Sequence, residues 1–192
     1  MSSVRTAILL FISLWMATGI IYPGIVTVIG QLAFPEQAGG NLIRRGDGAL
    51  AGSLLIGQPF SDAKYFWPRP SATADFPYNS LASGGSNLGP TNKELLTLVA
   101  DRVKSLKASG LPGNVPSDLV LASGSGLDPH ISPEAAVLQI PRVARARGWE
   151  EERLRQILES HLESRQLGFL GMPRVNVVQL NLTLDKLDSH GR

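Results

Sequence analysis

The sequence has no cysteine, few aromatic residues and no block of charge of one sign. Without cysteine it can form no disulfide and no thiolate metal site, and it offers no thiol nucleophile. Aromatic residues make up 6%, and 18 basic residues nearly balance 16 acidic ones, for a net charge of +2. A protein that binds nucleic acid usually presents a concentrated basic face. We therefore expect no nucleic-acid partner.

The motifs that support ATP hydrolysis are also missing. The sequence contains no G-x-x-x-x-G-K-[ST] phosphate loop and no Asp-Lys-Thr-Gly phosphorylation segment of the P-type pumps. The segment Gly124-Ser125-Gly126 does not match the G-x-S-x-G nucleophile elbow. The histidines His130, His161 and His190 lack the spacing of metal ligands. We predict no catalytic residue, no metal and no cofactor of this chain's own.

One long apolar segment, residues 7–34, dominates what is present. No charged side chain occurs between Arg5 and Glu36, and 14 of the 28 positions are Ile, Leu, Val or Phe. Those residues favour a bilayer by about 6 kcal/mol, and a helix of this length reaches ~42 Å across a ~30 Å hydrocarbon core. We predict one transmembrane helix over 7–34 after a short polar terminus at 1–6. A signal peptide cleaved near Ala17-Thr18-Gly19 fits less well, because the apolar run continues for 15 residues beyond it.

A proline and several small residues interrupt the predicted span. Pro23 has no backbone N–H, so it should kink the helix or end its regular part. Gly19, Gly24 and Gly30 would allow a neighbouring helix to approach closely, and we predict a membrane-packing role for all four residues. Basic residues flank both ends of the span, so charge alone leaves its orientation open.

Residues 35–192 are enough for one domain with a sizeable core. Short strands and helices mix there without regular βαβ alternation, which indicates an α+β fold. Strands are predicted at 42–43 and 50–56 around a turn at 44–48, at 119–121, and early in the tail after residue 172. Helices are predicted from Thr91 to before Gly110, from the N-cap Ser132 to Gly148, over 150–163, and at the end of the tail. An ordered, proline-stiffened loop packed by its aromatic side chains is predicted over 61–92.

Two features could bind a ligand, and both have a simpler interpretation. The loop Ser83-Gly84-Gly85-Ser86-Asn87 could offer backbone N–H groups to an anion, or only connect the preceding segment to the next helix. Gln139 shares a helix face with small apolar residues, where a buried amide needs hydrogen-bond partners. It could bond a nearby loop carbonyl, or it could contact a ligand or another subunit. Gln139 and the loop 83–87 are therefore the candidate ligand-binding residues.

Three stretches of sequence, in this order, resemble a known family. The first runs from Arg69-Pro70-Ser71-Ala72 through Tyr78-Asn79 to the loop 83–87. The second runs from Ser125-Gly126-Leu127-Asp128-Pro129 through Ile131-Ser132-Pro133 and Gln139 to Arg142-Val143-Ala144. The third is Gly171 with Pro173-Arg174-Val175-Asn176-Val177 and Leu180-Asn181. Behind one N-terminal span, they resemble the KdpC family, the C subunits of the Kdp high-affinity potassium-transporting ATPase, over essentially the whole chain.

The resemblance implies an accessory subunit that does not hydrolyse ATP. Its partners would be a channel-like, potassium-translocating A subunit, an ATP-hydrolysing P-type B subunit and a small F peptide, all in a lipid bilayer. ATP and Mg would be bound by the B subunit, and potassium would be the transported ion. The C subunit would stabilise the complex and act as a catalytic chaperone that raises the ATP affinity of the B subunit.

The resemblance also implies a topology. The amino terminus would lie inside the bacterial inner membrane and residues 35–192 would form a periplasmic domain. Such a domain cannot touch cytoplasmic ATP, so any effect on ATP affinity would pass as a coupling free energy through the membrane subunits. Direct contact with the nucleotide through Gln139 or the loop 83–87, the candidate nucleotide-binding residues under this resemblance, would require the opposite topology.

Two alternatives come from other functional classes. An exported, membrane-anchored hydrolase could use Ser125 or Ser86 with His130. Asp128-Pro129-His130 places an acid beside that histidine, although Asp-Pro favours turns and this one leads into the Ser132 cap. A stand-alone solute-binding domain is the other alternative.

Overall fold

The computed structural model describes residues 2–44 and 48–190. The predicted turn at 44–48 therefore falls mostly on residues 45–47, outside the described residues. The chain divides into two compact units, Met1–Ser53 and Leu54–Arg192. The predicted boundary between residues 34 and 35 refers to the end of the membrane segment and stays a prediction.

The first unit is an apolar helix followed by a short hairpin. Helix α1 (Ser2–Met16) passes through a π-helical turn (Ala17–Ile21) into α2 (Tyr22–Ala33), and the single turn α3 (Pro35–Ala38) follows. Strands β1 (Leu42–Arg44) and β2 (Leu50–Ser53) pair antiparallel, with an irregularity between Ile43 and Arg44. Both strands were predicted, but the second was predicted over 50–56 and ends at Ser53.

Among the described residues, Ser3–Ala33 is the one helix that is long and apolar enough to cross a membrane. None of its most apolar window is buried inside the protein. A helix with apolar residues on every side fits a lipid environment, because it has no polar face to turn to water. The predicted helix over 7–34 is confirmed, and its insertion in a membrane stays a prediction.

The π-helical turn lies directly before Pro23. Because Pro23 has no N–H, it cannot donate to the carbonyl of Gly19, as a helical residue normally would. The N–H of Tyr22 reaches back five residues to the Ala17 carbonyl, which widens the helix for one turn. The helix continues on both sides, so the disturbance predicted at Pro23 is a local change of winding and not an end.

The second unit mixes helices with a small sheet, which confirms the predicted α+β class. Its elements are α4 (Lys93–Ala108), a 3₁₀ turn (Ser117–Leu119), β3 (His130–Ile131), α5 (Pro133–Arg147), α6 (Glu151–Ser160), β4 (Leu162–Glu163), β5 (Arg174–Asn176) and α7 (Val177–His190). The sheet is antiparallel in the order β3-β5-β4. The predicted passage from strand to helix in the tail is also confirmed.

Helix α5 has the clearest sequence signals at both ends. The Ser132 hydroxyl accepts a hydrogen bond from the Ala135 N–H at 3.1 Å, and Pro133 occupies the first turn. Gly148 ends the helix with a φ of 66°, a left-handed conformation that suits glycine. The helix continues through Pro141, and its buried face reaches the centre of the core.

The core lies between α5, α6, α7 and the sheet. Its fully buried side chains include Ile140, Leu154, Val175, Leu180 and Leu184. Burying each large aliphatic side chain stabilises the fold by about 1.5–3 kcal/mol. Because these residues come from separate elements, the core fixes α5 and α7 on the sheet.

Residues 54–92 contain no strand and no helix, as predicted for most of this stretch. Phe66 is fully buried and Tyr78 is 9% exposed, so their predicted packing is confirmed. The expectation is wrong for Phe76, which is 57% exposed. This segment is ordered by a few deeply placed aromatic rings and by hydrogen bonds from the helices.

Three local predictions are wrong. The N-cap of α4 is Asn92 and not Thr91, because the Asn92 carboxamide oxygen accepts from the Glu94 N–H at 2.8 Å. Residues 119–121 form no strand, because Leu119 ends the 3₁₀ turn and Val120 caps it, although Leu119 and Val120 are buried as expected. Helix α6 ends at Ser160, and Leu162 lies in β4 opposite Val175.

Gly126 allows two segments of this unit to approach closely. Its φ is +68°, and an added Cβ would lie 2.6 Å from the Gly84 carbonyl oxygen. We predict that Gly126→Ala lowers the free energy of unfolding by about 2–4 kcal/mol, because left-handed strain adds to overpacking. Gly124→Ala is the matched control, since nothing lies within 4 Å of its added Cβ. Thermal unfolding of the detergent-solubilised chain measures both; equal melting temperatures would contradict the prediction.

Candidate functional site

Two buried amides, one from each of two helices, hold consecutive residues of the irregular segment. Gln139 on α5 accepts from the Trp67 N–H at 2.7 Å and donates to the Trp67 carbonyl at 3.1 Å. Asn181 on α7 accepts from the Phe66 N–H and donates to the Phe66 carbonyl, both at 2.9 Å. The two amide residues are 0% and 1% exposed. We call these two pairs the amide latch. They supply hydrogen bonds to the N–H and carbonyl groups of Phe66 and Trp67, which have no strand partner.

Arg142 strengthens the amide latch from the same helix face as Gln139. It donates to the Ala63 carbonyl and to the Gln139 Oε1, each at 2.7 Å, and its guanidinium lies 3.7 Å from the centre of the Trp67 ring. Burial lowers the pKa of Arg142 to about 10, and the charge of Asp62 offsets part of this effect. The guanidinium therefore stays charged at neutral pH inside the protein.

Arg147, one turn further along α5, holds the residues just before the latch. Its side chain is 1% exposed, donates to the Lys64 carbonyl at 2.7 Å and pairs with Asp185 at 2.9 Å and with Asp188. The Tyr65 hydroxyl donates to the other oxygen of Asp185 at 2.8 Å. The segment is thus fixed at four consecutive positions, 64 to 67, by side chains of α5 and α7.

A second polar feature crosses the sheet. Asp128 contacts Arg69 at 3.1 Å and the His130 Nδ1 at 3.0 Å. The His130 Nε2 lies 3.5 Å from Glu163, which also accepts from Arg174 at 2.8 Å. We call these five side chains the charge row. It links the irregular segment to all three strands of the sheet.

The charge row favours the ionised form of Asp128. Burial by itself raises the pKa of this carboxyl, but hydrogen bonds from His130 and the charges of His130 and Arg69 outweigh burial. The pKa of Asp128 therefore lies below its ordinary value of 3.8. At neutral pH, this carboxylate is an ionised acceptor for its neighbours.

A cleft of about 750 Å³ opens beside the charge row. Its walls carry Arg69, Arg174 and His130 together with the carboxylates of Asp118, Asp128 and Glu134. Both signs are present, so the cleft has no strong preference for an anion or a cation. No group of three or more His, Asp or Glu side chains able to hold a metal ion occurs in the part of the chain that the structure describes.

The serines of the hydrolase alternative do not meet His130. Both ring nitrogens of His130 face carboxylates. The Ser125 hydroxyl accepts from the Leu127 N–H at 3.1 Å, and Ser86 lines a different cavity, of about 540 Å³. A serine nucleophile needs a base within hydrogen-bond reach. The described geometry of these three residues supplies no such pair.

The predicted anion loop 83–87 packs against a second glycine-rich turn. The Gly84 N–H donates to the Ser125 carbonyl at 2.9 Å, and the Ser83 hydroxyl donates to the same oxygen at 3.0 Å. An added Cβ at Gly85 would lie 3.0 Å from the Gly124 carbonyl oxygen. These contacts match the interpretation as a connecting loop, and nucleotide binding by Ser83, Gly84, Gly85, Ser86 and Asn87 stays a prediction.

The remaining candidate residues are Gln139 and the small residues of the apolar helix. Gln139 donates to the Trp67 carbonyl of the irregular segment at 3.1 Å, which matches its interpretation as an amide bonded to a loop carbonyl, and nucleotide binding by Gln139 stays a prediction. In the apolar helix, an added Cβ at Gly19 would touch only the Trp15 ring, and nothing lies within 4 Å of one at Gly24 or Gly30. Their packing against another helix, together with that of Pro23, stays a prediction.

Sequence reasoning identified Gln139 but missed the residues that act with it. The hydrophobic periodicity does not single out Asn181, Arg142 or Arg147, because each occupies an ordinary polar position of an amphipathic helix. Other signals were available for Arg142 and Asn181. Arg142 follows Gln139 by three residues, which places both on one helix face, and Asn181 belongs to the third stretch that carries the family resemblance.

Comparison with known proteins agrees with the resemblance. A family model described as "KdpC: K+-transporting ATPase, c chain" matches residues 4–186. The chain belongs to the KdpC family. Potassium-transporting ATPase KdpC subunits are similar to it along nearly the full length of both chains. The one from Geotalea uraniireducens is 58% identical, covering 97% of this chain and 99% of its own.

Two further KdpC relatives show the same extent of similarity. The subunit from Geobacter sulfurreducens is 57% identical over 97% of this chain and 99% of its own. The subunit from Methylococcus capsulatus is 54% identical over 95% of this chain and 97% of its own. The family resemblance based on three motif stretches is thus confirmed.

We predict that Gln139→Ala destabilises the larger unit by about 3 kcal/mol. The substitution leaves the Trp67 N–H, the Trp67 carbonyl and one Arg142 donor without partners, and each buried orphan group costs about 1–3 kcal/mol. Gln156→Ala, on the exposed face of α6, is the matched control and should change stability by less than about 0.5 kcal/mol. Chemical denaturation followed by tryptophan fluorescence measures both. Similar effects of the two substitutions would contradict the structural role of the latch.

We predict an acid-dependent role for Asp128. Its folded-state pKa is lowered, so its contribution to stability is complete above pH 3.8 and is lost as the pH falls through the folded pKa. Asp128→Asn should therefore lower Tm at pH 7, and the difference from wild type should shrink below pH 3.8. Asp101→Asn, exposed on α4, is the control. A difference that stays constant down to pH 2 would exclude an electrostatic origin.

Proposed function

We propose that this chain is an accessory, non-hydrolysing subunit of an ATP-driven, high-affinity potassium uptake complex. The family match over residues 4–186 carries the proposal. It is supported by a site whose buried amides all bond the chain's own backbone and whose histidine faces two carboxylates. Because these side chains are occupied by the chain's own groups, the site fits a subunit that does not itself hydrolyse ATP.

In this proposal the chain assembles with a potassium-translocating A subunit, an ATP-hydrolysing B subunit and a small F peptide. The B subunit binds ATP and Mg, and potassium is the transported ion. The apolar helix anchors the chain in the bacterial inner membrane with its amino terminus inside and its larger unit in the periplasm. Gly19, Pro23, Gly24 and Gly30 lie on this helix where a partner helix can approach.

The chain acts as a catalytic chaperone that raises the ATP affinity of the B subunit. A periplasmic unit cannot reach cytoplasmic ATP, so the effect passes as a coupling free energy through the membrane subunits. The buried, fully bonded amide of Gln139 supports this indirect route over direct nucleotide contact. Direct contact through Gln139 or the loop 83–87 is the alternative. It requires the opposite topology, and contact through Gln139 requires in addition that the amide latch open.

We predict that removing this chain weakens both assembly and nucleotide use. Complexes purified with and without it are compared for yield, Tm and the dependence of ATPase rate on ATP. Without the chain, the KM for ATP should rise several-fold, and the complex should dissociate more readily in detergent. Adding back purified chain should restore both properties, which controls for damage during purification.

Two results would contradict the proposal. An unchanged KM for ATP and unchanged yield would remove the chaperone and assembly roles. ATP hydrolysis by the purified chain alone would favour an enzyme instead. Labelling of Ser125 or Ser86 in that chain by a serine-reactive fluorophosphonate would do the same.

A further inference from the structure

The loop between β4 and β5 exposes four large apolar side chains within six residues. The exposed fractions are 83% for Leu167, 68% for Phe169, 47% for Leu170 and 72% for Met172. Proteins rarely leave so much adjacent apolar surface in water unless that surface makes contact with something. We call these four side chains the apolar tip.

The backbone of the apolar tip is closed into a tight turn. Gln166 and Leu170 exchange two backbone hydrogen bonds, at 3.0 and 2.9 Å. Leu167 and Gly168 have φ values of +53° and +82°. That conformation costs a residue such as leucine about 1–2 kcal/mol. The turn thus holds its apolar side chains outward in a fixed arrangement, and it loses little conformational freedom when a partner binds.

The apolar tip borders the charged cleft. Met172 lines that cleft together with Arg69, Arg174, Asp128 and Glu134. An apolar centre with a rim of charges of both signs is the usual anatomy of a protein–protein interface. The flanking charges would specify the orientation of a partner, while the tip would supply most of the binding free energy.

A lipid surface fits this neighbourhood less well. Insertion of Met172 into a bilayer would carry the cleft carboxylates Asp118, Asp128 and Glu134 towards the headgroups. They would lose water there, and anionic lipids would repel them. Arg165 and Arg174 flank the tip in sequence, as basic residues do in segments that dip into membranes, but Arg174 is already paired with Glu163 and the cleft acids lie beside it. The surroundings of the tip therefore favour a protein partner.

We propose that the apolar tip docks into an apolar recess, rimmed by charges of both signs, on another subunit of the potassium-transporting ATPase. This inference rests on the proposed function, because the partner is taken from the complex. Phe169 is the central anchor, since buried aromatic side chains dominate the energetics of such interfaces.

Photocrosslinking in the assembled complex tests the docking. The photoreactive residue p-benzoylphenylalanine replaces Phe169 in one variant and Leu81, which is 94% exposed, in the control variant. Both tagged chains are co-expressed with the other subunits, irradiated in membranes and purified, and the products are identified by mass spectrometry. The Phe169 variant should crosslink to another subunit at least ten times more than the Leu81 variant.

Substitution provides an independent measurement. Phe169→Ser should reduce co-purification of the other subunits at least ten-fold in detergent, whereas Leu81→Ser should leave it unchanged. Because both side chains are exposed, neither substitution removes a core contact, and unchanged thermal unfolding of the purified variants verifies this.

The outcomes separate the inference from the function on which it rests. If the wild-type chain co-purifies with the other subunits but Phe169 crosslinks only to lipid, to a second copy of this chain or to nothing, the docking inference is wrong and the proposed function stands. If the wild-type chain does not co-purify with the other subunits, both are wrong.

Discussion

Residues 54–92 cross the larger unit without forming a strand or a helix, so their backbone groups depend on side chains for hydrogen bonds. Gln139 and Asn181 meet this requirement for Trp67 and Phe66, the point at which the segment enters the core. A carboxamide suits the task because it carries both a donor and an acceptor and adds no charge. The aromatic side chain of Phe66 can stay in the core only while its own backbone is satisfied. The attachment of this segment to α5 and α7 at residues 66 and 67 therefore depends on two neutral side chains.

The amide latch and the charge row join the same irregular segment to the rest of the unit in physically different ways. The latch is buried and neutral, so its strength does not change with pH over the range in which proteins fold. The charge row is partly exposed, and water screens its ion pairs, which limits what each contributes to stability. Within it, the pKa of Asp128 is lowered by its hydrogen bonds from His130 and by the charges of His130 and Arg69, so the contribution of this carboxylate is lost in acid. The latch therefore holds the segment to α5 and α7, and the charge row links it to the three strands beside the cleft.

Sequence reasoning succeeded where the signal was local and failed where it was distant. The apolar helix and the ends of α5 were predictable because composition, a serine cap and a glycine stop act within a few residues. The pairing of Gln139 with Trp67 was left open, since nothing in a linear pattern selects a partner so far along the chain. Leu162 was misassigned for a related reason: its spacing continues the stripe of α6, but pairing with Val175 draws it into a strand. The nature of Gln139 as a buried, bonded amide was predictable, and its partner was not.

The latch also limits how this chain could influence another subunit. Because side chains of α5 and α7 fix the segment at four consecutive positions, the segment cannot change shape without breaking several buried hydrogen bonds. A domain that stays rigid can shift a partner's equilibrium only by binding one of the partner's states more tightly than another. That difference in affinity has to arise at exposed surfaces. The apolar tip and the mixed charges of the adjoining cleft are such surfaces, so the proposed chaperone effect would depend on which partner conformation those surfaces fit.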